Sequence, residues 1–235
     1  MPTDTPRGKV CFFEDFLYDV VADKPEYGVD TDPAVEIVTT APNGVVRVTM
    51  DAGQTNIGGM GFGNLQWDIS NRLTMEARVR MSAIGAAAER YFVGFTDVQE
   101  DTLTEMPFSA TGTTLTASAD PNDAIGFFFE GNLTNDAWYP VSQNTDVIVV
   151  NGVANVTAAN RFAPVADTWR TLKIDIFPGA TVVEFSVDGR VVYRYSGTTA
   201  AVADVPLIPI FVVTEGTTAV NFDVDYVYVE ADRSE

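Results

Sequence analysis

The alternation of side chains in the segment RLTMEARVRMS constrains the fold of this chain more than any other feature. From Leu73 to Ser82, every odd-numbered residue is apolar and every even-numbered residue is polar or charged. A period of two places the two sets on opposite faces of a β-strand. The segment therefore predicts a strand with one face on a core and the other in water.

The rest of the chain repeats this pattern, because turn-forming residues separate short runs of Val, Ile, Phe, Tyr and Thr. In VVEFSVDGRVVYRY, Asp188-Gly189 supplies two residues that tolerate positive φ, which a tight hairpin requires. AIGAAAERYF is the best helix candidate, but it is short, so helices are minor at most. The sequence predicts an all-β fold with strands at Ala34–Thr39, Val45–Asp51, Leu73–Ser82, Tyr91–Thr96, Ala124–Glu130, Asp146–Val150, Thr168–Phe177, Val182–Val187, Arg190–Tyr195, Ile208–Thr214 and Asn221–Glu230.

Size and composition favour one large domain, since 235 residues that are 46% hydrophobic can bury a sizeable core. We expect residues 1–10 to form an extended N-terminal arm and residues 11–235 to form the single domain. A long polar insertion is expected near 97–123. The run Gly58–Gly63 has no phosphate-binding pattern, and we interpret it as a flexible loop.

The charge balance limits the partners. The chain has 33 acidic and 14 basic residues, for a net charge of −19, which repels nucleic acid and anionic membranes. No segment approaches the roughly 18 uncharged apolar residues of a membrane helix, and we expect no export signal. The single Cys11 predicts no internal disulfide and reads as a small buried hydrophobe.

The absence of histidine excludes Ser-His and Cys-His dyads and imidazole metal ligands. Glycoside hydrolysis needs only two carboxylates, and Asp223 and Asp225 have a suitable spacing on one strand face. The same nominal face continues with Val227 and Val229, so we interpret the two aspartates as the polar side of a strand. We predict no catalytic residue and no cofactor.

Two acidic segments could offer oxygen ligands to calcium: Asp30, Asp32 and Glu36 in one, and Asp15 and Asp19 in the other. Neither contains the twelve-residue loop with its glycine and terminal glutamate. We interpret both as solvated acidic loops and predict no metal site.

Aromatic residues are the remaining candidates for a binding surface. Trp138 and Tyr139 lie in a polar, turn-rich segment, where they could stack on a sugar or a partner protein. The alternative, that Trp138 packs against the edge of the core, stays open. Trp67 and Trp169 lie at strand edges, and core packing is the stronger interpretation for both.

Five segments carry a family resemblance. DTWRTLKIDIFPGATVVEFSVDGRVVYRY and the terminal FDVDYVYV, together with NRLTMEARVRMS, YFVGFTD and DAIGFFFEG, resemble the strands of concanavalin A-like, laminin-G-type jelly rolls. The resemblance implies two antiparallel sheets packed face to face, with a concave face available for binding. In the lectins and glucanases of this superfamily, that face holds sugar. The glucanase motif ExDxxE is absent from this chain, which argues against hydrolysis.

Within the superfamily, DTWRTLKIDI, SVDG and VDYVYVEADR most resemble domains of tailed-bacteriophage virions. This resemblance implies a non-enzymatic capsid decoration or cement protein on the virion surface, assembled in the host cytoplasm. Its implied partners are the major capsid protein and itself, as a homotrimer. The segment Pro2–Lys9 and the insertion Asp97–Asp123 would contribute to attachment. The alternative is a carbohydrate-binding, lectin-like module that recognises surface glycans, and a glycoside hydrolase is less favoured.

Overall fold

The computed structural model describes residues 8–17, 28–29, 34–41, 44–51, 57–63, 66–82, 84, 89–99, 102–133, 135–157, 162–197, 199–200, 205–214 and 218–232. Nearly all regular structure in these residues is strand, as the alternation predicts. The strands are β1 Lys9–Glu14, β2 Gly28–Val29, β3 Ala34–Ile37, β4 Val46–Met50, β5 Ile57–Gly61, β6 Leu73–Met81, β7 Arg90–Thr96, β8 Phe108–Thr111, β9 Thr114–Ala117, β10 Ala124–Glu130, β11 Tyr139–Asn144, β12 Val147–Asn151, β13 Arg170–Ile176, β14 Val182–Val187, β15 Arg190–Ser196, β16 Ile208–Thr214 and β17 Val220–Asp232. One short helix, α1, spans Gly152–Asn155.

Two antiparallel sheets form the sandwich. The eight-stranded sheet has the order β15-β14-β13-β6-β17-β4-β3, and β1 also pairs with β17. The seven-stranded sheet has the order β12-β11-β10-β7-β16-β5-β2. Strands β8 and β9 form a separate two-stranded hairpin. Most neighbours in each sheet are distant in sequence, as in a jelly roll.

The predicted hairpin at Asp188-Gly189 is confirmed. It joins β14 to β15, and φ is 49° at Asp188 and 76° at Gly189. These two positive φ values give the turn the twist that the flanking strands need. The predicted strand at Leu73–Ser82 is confirmed as β6, whose odd-numbered residues are all buried in the core between the sheets.

A second apolar core lies on the other side of the seven-stranded sheet. The central strands β7, β10 and β16 are therefore buried on both faces, which explains why Phe127, Phe128 and Phe129 follow one another in β10. Phe127 and Phe129 join the core between the sheets, whereas Phe128 joins the second core. The second core is completed by the predicted insertion, whose hairpin of β8 and β9 contributes Phe108.

Two sequence expectations need correction. The glycine run was expected to be a loop, but Gly58–Gly61 lies in β5, which pairs by its backbone with β16. Backbone pairing with β16 holds the glycines of this strand, and the buried side chains of Ile57 and Met60 pack in the two cores. The predicted N-terminal arm also ends earlier than residue 10, because Lys9 already pairs with Asp232 in β1. Residues 1–7 of the predicted arm lie outside the described residues.

Candidate binding surfaces

The outer face of the eight-stranded sheet carries the polar half of the alternating pattern. On β6 it presents Glu76, Arg78 and Arg80, and the neighbouring β17 presents Asp223 and Asp225. Both strands are long and pair along most of their length, so these side chains meet in a fixed register. Arg47 reaches the same place from β4, where it lies opposite Asp223.

Asp223 is held by two arginines. Its Oδ1 and Oδ2 accept hydrogen bonds from Arg47 Nε and Nη2 at 2.6 and 2.9 Å, and Oδ2 accepts from Arg80 Nε and Nη2 at 3.1 and 2.5 Å. The carboxylate side chain is only 3% exposed. Its hydrogen bond also raises the pKa of Arg47 above its ordinary value. The interpretation of Asp223 as the hydrogen-bonded side of a strand is confirmed.

Asp225 lies at an irregular point of β17. The register with β6 shifts between Val224 and Tyr226, so Asp225 is an extra residue at a β-bulge. On the edge of β17 that faces away from β6, the residues up to Val224 pair with β4 and the residues from Val227 onward pair with β1. The bulge lies between these two pairings. The side chain accepts a hydrogen bond from Arg78 Nη1 at 2.5 Å.

Trp169 lies over this cluster, just before β13. The guanidinium carbons of Arg78 and Arg80 lie 4.9 and 4.7 Å from the centroid of its ring. Such distances are those of cation–π contacts. The expectation that Trp169 packs in the core is wrong, because its ring lies on the outer face and is only partly buried. Trp67, in contrast, is 6% exposed and does join the core.

An open groove of about 480 Å³ runs beside this ring. We call it the arginine–tryptophan groove, defined by Arg47, Arg78, Arg80, Trp169 and Asp225. Its apolar lining residues lie between β3 and β4. The remaining lining residues are Val38, Thr40, Ala41 and Val45.

A second feature of the same sheet is an N-terminal apolar strip, which consists of Val10, Phe13 and Leu17. These side chains are 42%, 59% and 65% exposed. Phe13 lies on the outer face, where its ring centroid is 6.1 Å from that of Tyr226 on β17. Phe12 points the other way and packs edge-on against Phe62 in the core. Strand β1 is thus anchored through Phe12, and its exposed apolar residues lie on both faces, Val10 on the side of Phe12 and Phe13 on the outer side.

Next to the strip, polar side chains tie β1 to β17. Lys9 pairs with Glu230, and the Tyr228 hydroxyl donates to Glu230 Oε2 at 2.8 Å. The hydrogen bond to Glu230 raises the pKa of Tyr228, and the bond from Lys9 lowers the pKa of Glu230. Cys11 is exposed beside them, contrary to the expectation that it is a buried hydrophobe. Burial, and then the bond to Glu76, raise the pKa of the neighbouring Tyr226 to about 12.

The outer face of the seven-stranded sheet differs, because the insertion covers it. Phe108 packs against Phe92 and Phe128, with ring centroids 5.7 and 6.2 Å apart. Buried Glu130 fastens the hairpin: it accepts from the Ala110 amide at 2.6 Å and from Arg90 Nε at 3.2 Å. A cleft of about 370 Å³ remains beside the hairpin. Its hydroxyl-bearing lining residues are Thr104, Ser109, Thr116, Ser118 and Thr214.

The predicted binding residues Trp138 and Tyr139 are buried, each with 2% of its surface exposed. Trp138 joins the core between the sheets and packs against Phe129, with ring centroids 6.1 Å apart. Tyr139 joins the second core, and its hydroxyl donates to the Asn135 carbonyl at 2.5 Å. The expectation of two exposed rings is therefore corrected, and the open alternative of core packing holds for Trp138.

Of the two acidic segments considered for calcium, the described residues include only Glu36 on β3 and Asp15 after β1. Asp19, Asp30 and Asp32 lie outside the described residues. Within the described part of the chain, no three acidic or Cys side chains come together as metal ligands would.

The structure search places this arrangement among concanavalin A-like jelly rolls. The chain is similar to peanut lectin in complex with a 9mer peptide, with a TM-score of 0.63, 12% identity, and coverage of 97% of this chain and 99% of the lectin. It is also similar to an endo-β-1,4-glucuronan lyase of Trichoderma reesei, with a TM-score of 0.58, 12% identity, and coverage of 93% and 94%. A third neighbour is the carbohydrate esterase vb_24B_21 of the Shiga toxin-encoding bacteriophage phi24B, with a TM-score of 0.52, 15% identity, and coverage of 88% and 90%.

These likenesses define the class: a concanavalin A-like, two-sheet antiparallel jelly-roll sandwich. At such low identities they speak for the fold alone. No family model and no curated protein matches the sequence. No helix among the described residues has the length and hydrophobicity to cross a membrane.

The sequence interpretation missed the arginine–tryptophan groove. Alternation did place Arg78 and Arg80 on the solvent face of β6. The local sequence around Trp169, DTWRTL, gives no sign that two guanidinium groups from another strand lie against its ring. The available signal was the concentration of arginines on one strand face of a strongly acidic chain.

Proposed function

We propose that this chain is a non-enzymatic structural protein that attaches to a larger protein assembly, and that the assembly is the capsid of a tailed bacteriophage. The observation that carries the proposal is the N-terminal apolar strip. Val10, Phe13 and Leu17 are large exposed apolar side chains in one short segment of a very acidic protein, which suits a segment that another protein covers. Val10 and Phe13 of the strip lie on β1, and Leu17 follows the strand.

The ion pairs of Asp223 and Asp225 support the proposal that the protein is not an enzyme. Asp223 is engaged by Arg47 and Arg80, and Asp225 is engaged by Arg78. A glycosidase needs one carboxyl group that can give up a proton to the leaving group and a second that can attack or activate water. Carboxylates fixed in ion pairs with arginine are poorly suited to either role.

The proposal also names location and partners. The protein would sit on the outer surface of the virion after assembly in the host cytoplasm, bound to the major capsid protein. Decoration proteins at symmetric positions of a shell are matched by small symmetric oligomers, so we include a homotrimer. A phage protein, the phi24B esterase, has the same fold, which is compatible with a phage origin.

Particles of the virus that encodes this chain provide the test. Mass spectrometry and cryo-electron microscopy of purified particles should find the chain on the shell in a fixed ratio to the major capsid protein. Particles without the chain, or with it only in the tail, would refute the proposal. Light scattering of the purified protein checks the trimer separately.

Variants test the apolar strip itself. Phe13→Ser and Leu17→Ser should reduce the amount of protein bound to particles that lack the wild-type chain. The matched control is Val147→Ser, since Val147 is 63% exposed and lies on β12, an edge strand of the other sheet. Equal binding by all three variants would show that the strip is not the attachment surface.

Carbohydrate binding is the second candidate, and the hydroxyl-lined cleft beside the β8–β9 hairpin favours it. Threonine and serine hydroxyls are suitable partners for sugar hydroxyls, and two neighbours in fold are by name a lectin and a glucuronan lyase. A glycan array tests it, with Ser109→Arg as the variant that fills the cleft. Binding that Ser109→Arg abolishes would favour this candidate, whereas an empty array would count against it.

A further inference from the structure

Among the described residues, the side-chain hydrogen bonds of the arginine–tryptophan groove use only some of the N–H donors of its arginines. Each guanidinium group has five N–H donors. Arg47 and Arg80 each place two hydrogen bonds on Asp223, and Arg78 places one on Asp225. The remaining N–H groups of these arginines have no side-chain acceptor among the described residues. Guanidinium forks match the two oxygens of a carboxylate, so the groove is suited to an anionic group.

The position of Trp169 narrows the class of ligand. A sugar binds to an aromatic ring by stacking on an open face. Here the ring is already in contact with the guanidinium groups of Arg78 and Arg80 at 4.9 and 4.7 Å. Its role is then to hold these planar groups in place, which reduces the entropy that they lose on binding a carboxylate. The groove therefore favours a carboxylate over a neutral sugar.

The wall of the groove adds an apolar requirement. Val38, Ala41 and Val45 line the groove together with the arginines. The groove is open and lies near β3, the last strand on that edge of the eight-stranded sheet. An open groove that combines apolar side chains with partly exposed arginines fits an extended polypeptide that alternates acidic and apolar side chains. Tryptophan and arginine are also the residues that contribute most to protein interfaces.

We propose that the arginine–tryptophan groove binds an extended acidic segment of another protein, with a carboxylate on Arg78 and an apolar side chain against Val38 and Val45. The side chain of Arg78 is 41% exposed, so a ligand can reach it. The proposal rests on the attachment function proposed above and names the chemistry of its partner.

Calorimetric titration tests the groove with two synthetic peptides, one alternating Glu and Val and the other alternating Gln and Val. The Glu peptide should bind and the Gln peptide should not. Arg78→Gln should weaken binding by about tenfold, the usual effect of one charge-assisted hydrogen bond. Raising the salt concentration to about 0.5 M should weaken it further, because the pair is partly exposed. Trp169→Phe is the second variant, and it should also weaken binding.

The control is Arg72→Gln. Arg72 lies over the ring of Phe177 at 5.1 Å and its Nη2 lies 3.5 Å from Asp175 Oδ1, but it is outside the groove. Its loss should leave peptide binding unchanged. Circular dichroism confirms that each variant is folded.

Several outcomes would overturn the inference: no binding of the Glu peptide, equal binding to wild type and Arg78→Gln, or binding of a polyuronate but not of the peptide. These failures are separable from failure of the attachment function. If Arg78→Gln protein still decorates particles while Phe13→Ser protein does not, the groove inference is wrong and the attachment proposal stands.

Discussion

The outer faces of the two sheets show two ways of completing the same sandwich. On the seven-stranded sheet, the insertion brings Phe108 and its neighbours over Phe92 and Phe128, so that this face is an interior surface. On the eight-stranded sheet, Arg78 and Arg80 lie against the ring of Trp169 on the outer face, with side chains 41% and 28% exposed. The first face stabilises the protein, and the second is the face on which we propose that a partner binds.

This difference decides where recognition can occur. The resemblance to lectins predicts a concave, sugar-binding face, but the chain has filled most of one outer face with its own hairpin. What remains there is the hydroxyl-lined cleft of about 370 Å³ at the hairpin's border. The apolar strip and the arginine–tryptophan groove both belong to the other sheet. A change on each face should therefore have a different consequence.

The largest effect is expected from Phe108→Ala, which removes the centre of the second core. Phe108 has none of its surface exposed and contacts two buried rings. Deleting a buried phenylalanine lowers the free energy of unfolding by about 3–5 kcal/mol. Urea unfolding monitored by fluorescence measures the loss. Phe13→Ala, on the exposed strip, is the control and should change stability by less than about 0.5 kcal/mol. Similar losses for both would mean that the hairpin does not cover the sheet as described.

A smaller loss is expected from Asp223→Asn on the opposite face. The change leaves Arg47 and Arg80 without their charged partner, and breaking a fully buried pair costs about 3–5 kcal/mol. Both arginines keep access to water, with side chains 26% and 28% exposed, so we expect about 2 kcal/mol. Asp225→Asn, which has a single and more exposed partner, should cost less than about 1 kcal/mol. The same urea titrations measure both, and the reverse order would show that Asp225 rather than Asp223 organises the cluster.

The sequence predicts the scaffold well because the signals for strands are local. Alternation at Leu73–Ser82 and the two turn residues Asp188-Gly189 are each contained within a few neighbouring positions. The glycines of β5 gave no such signal, since a glycine strand is recognised only through the backbone of its partner β16. The fold class could therefore be predicted from the sequence, whereas the glycine-rich strand β5 could not.

The candidate site could be predicted only in part, because it is built from distant segments. Trp138 appears exposed in its polar local sequence, yet Phe129, on the other side of a turn, buries it. The local sequence of Trp169 indicates a core residue, yet its ring contacts the arginines of β6 on the outer face. In both cases the deciding contact comes from a different strand, and single-sequence patterns do not report such contacts.

Glu130→Gln should loosen the attachment of the hairpin by a moderate amount. The substitution removes the charge that Arg90 pairs with and keeps one oxygen for the Ala110 amide, so we expect a loss of about 1–1.5 kcal/mol. In hydrogen exchange, the Ala110 amide of the variant should exchange faster than in the wild type, and the increase should be larger there than in the central strands. Glu105→Gln is the control, because Glu105 is exposed on the same insertion and, among the described residues, its side chain accepts a hydrogen bond from Ser118 alone. Unchanged exchange at Ala110 would mean that apolar packing alone holds the hairpin.

The smallest effects should come from pH, and they should have opposite signs on the two sides of the sandwich. Burial alone would raise the pKa of Asp175, but hydrogen bonds from Lys173 and Thr74 outweigh it and lower that pKa below 3.8. Its contribution to stability is thus present above pH 3.8 and is lost as the pH falls through the lower folded value. Near the insertion, burial raises the pKa of Asp97 above 3.8.

The sign for Asp97 is the reverse, since its charged form is the costly one in the folded state. Its penalty is present at neutral pH, decreases as the pH falls through the raised folded value, and is absent below pH 3.8. Asp175→Asn should therefore destabilise the protein at pH 7 and less so near pH 3, whereas Asp97→Asn should be neutral or stabilising at pH 7 and lose any advantage near pH 3. Urea titrations of both variants across this range measure the difference. Parallel pH profiles would show that the two carboxylates do not experience the opposite environments that their contacts indicate.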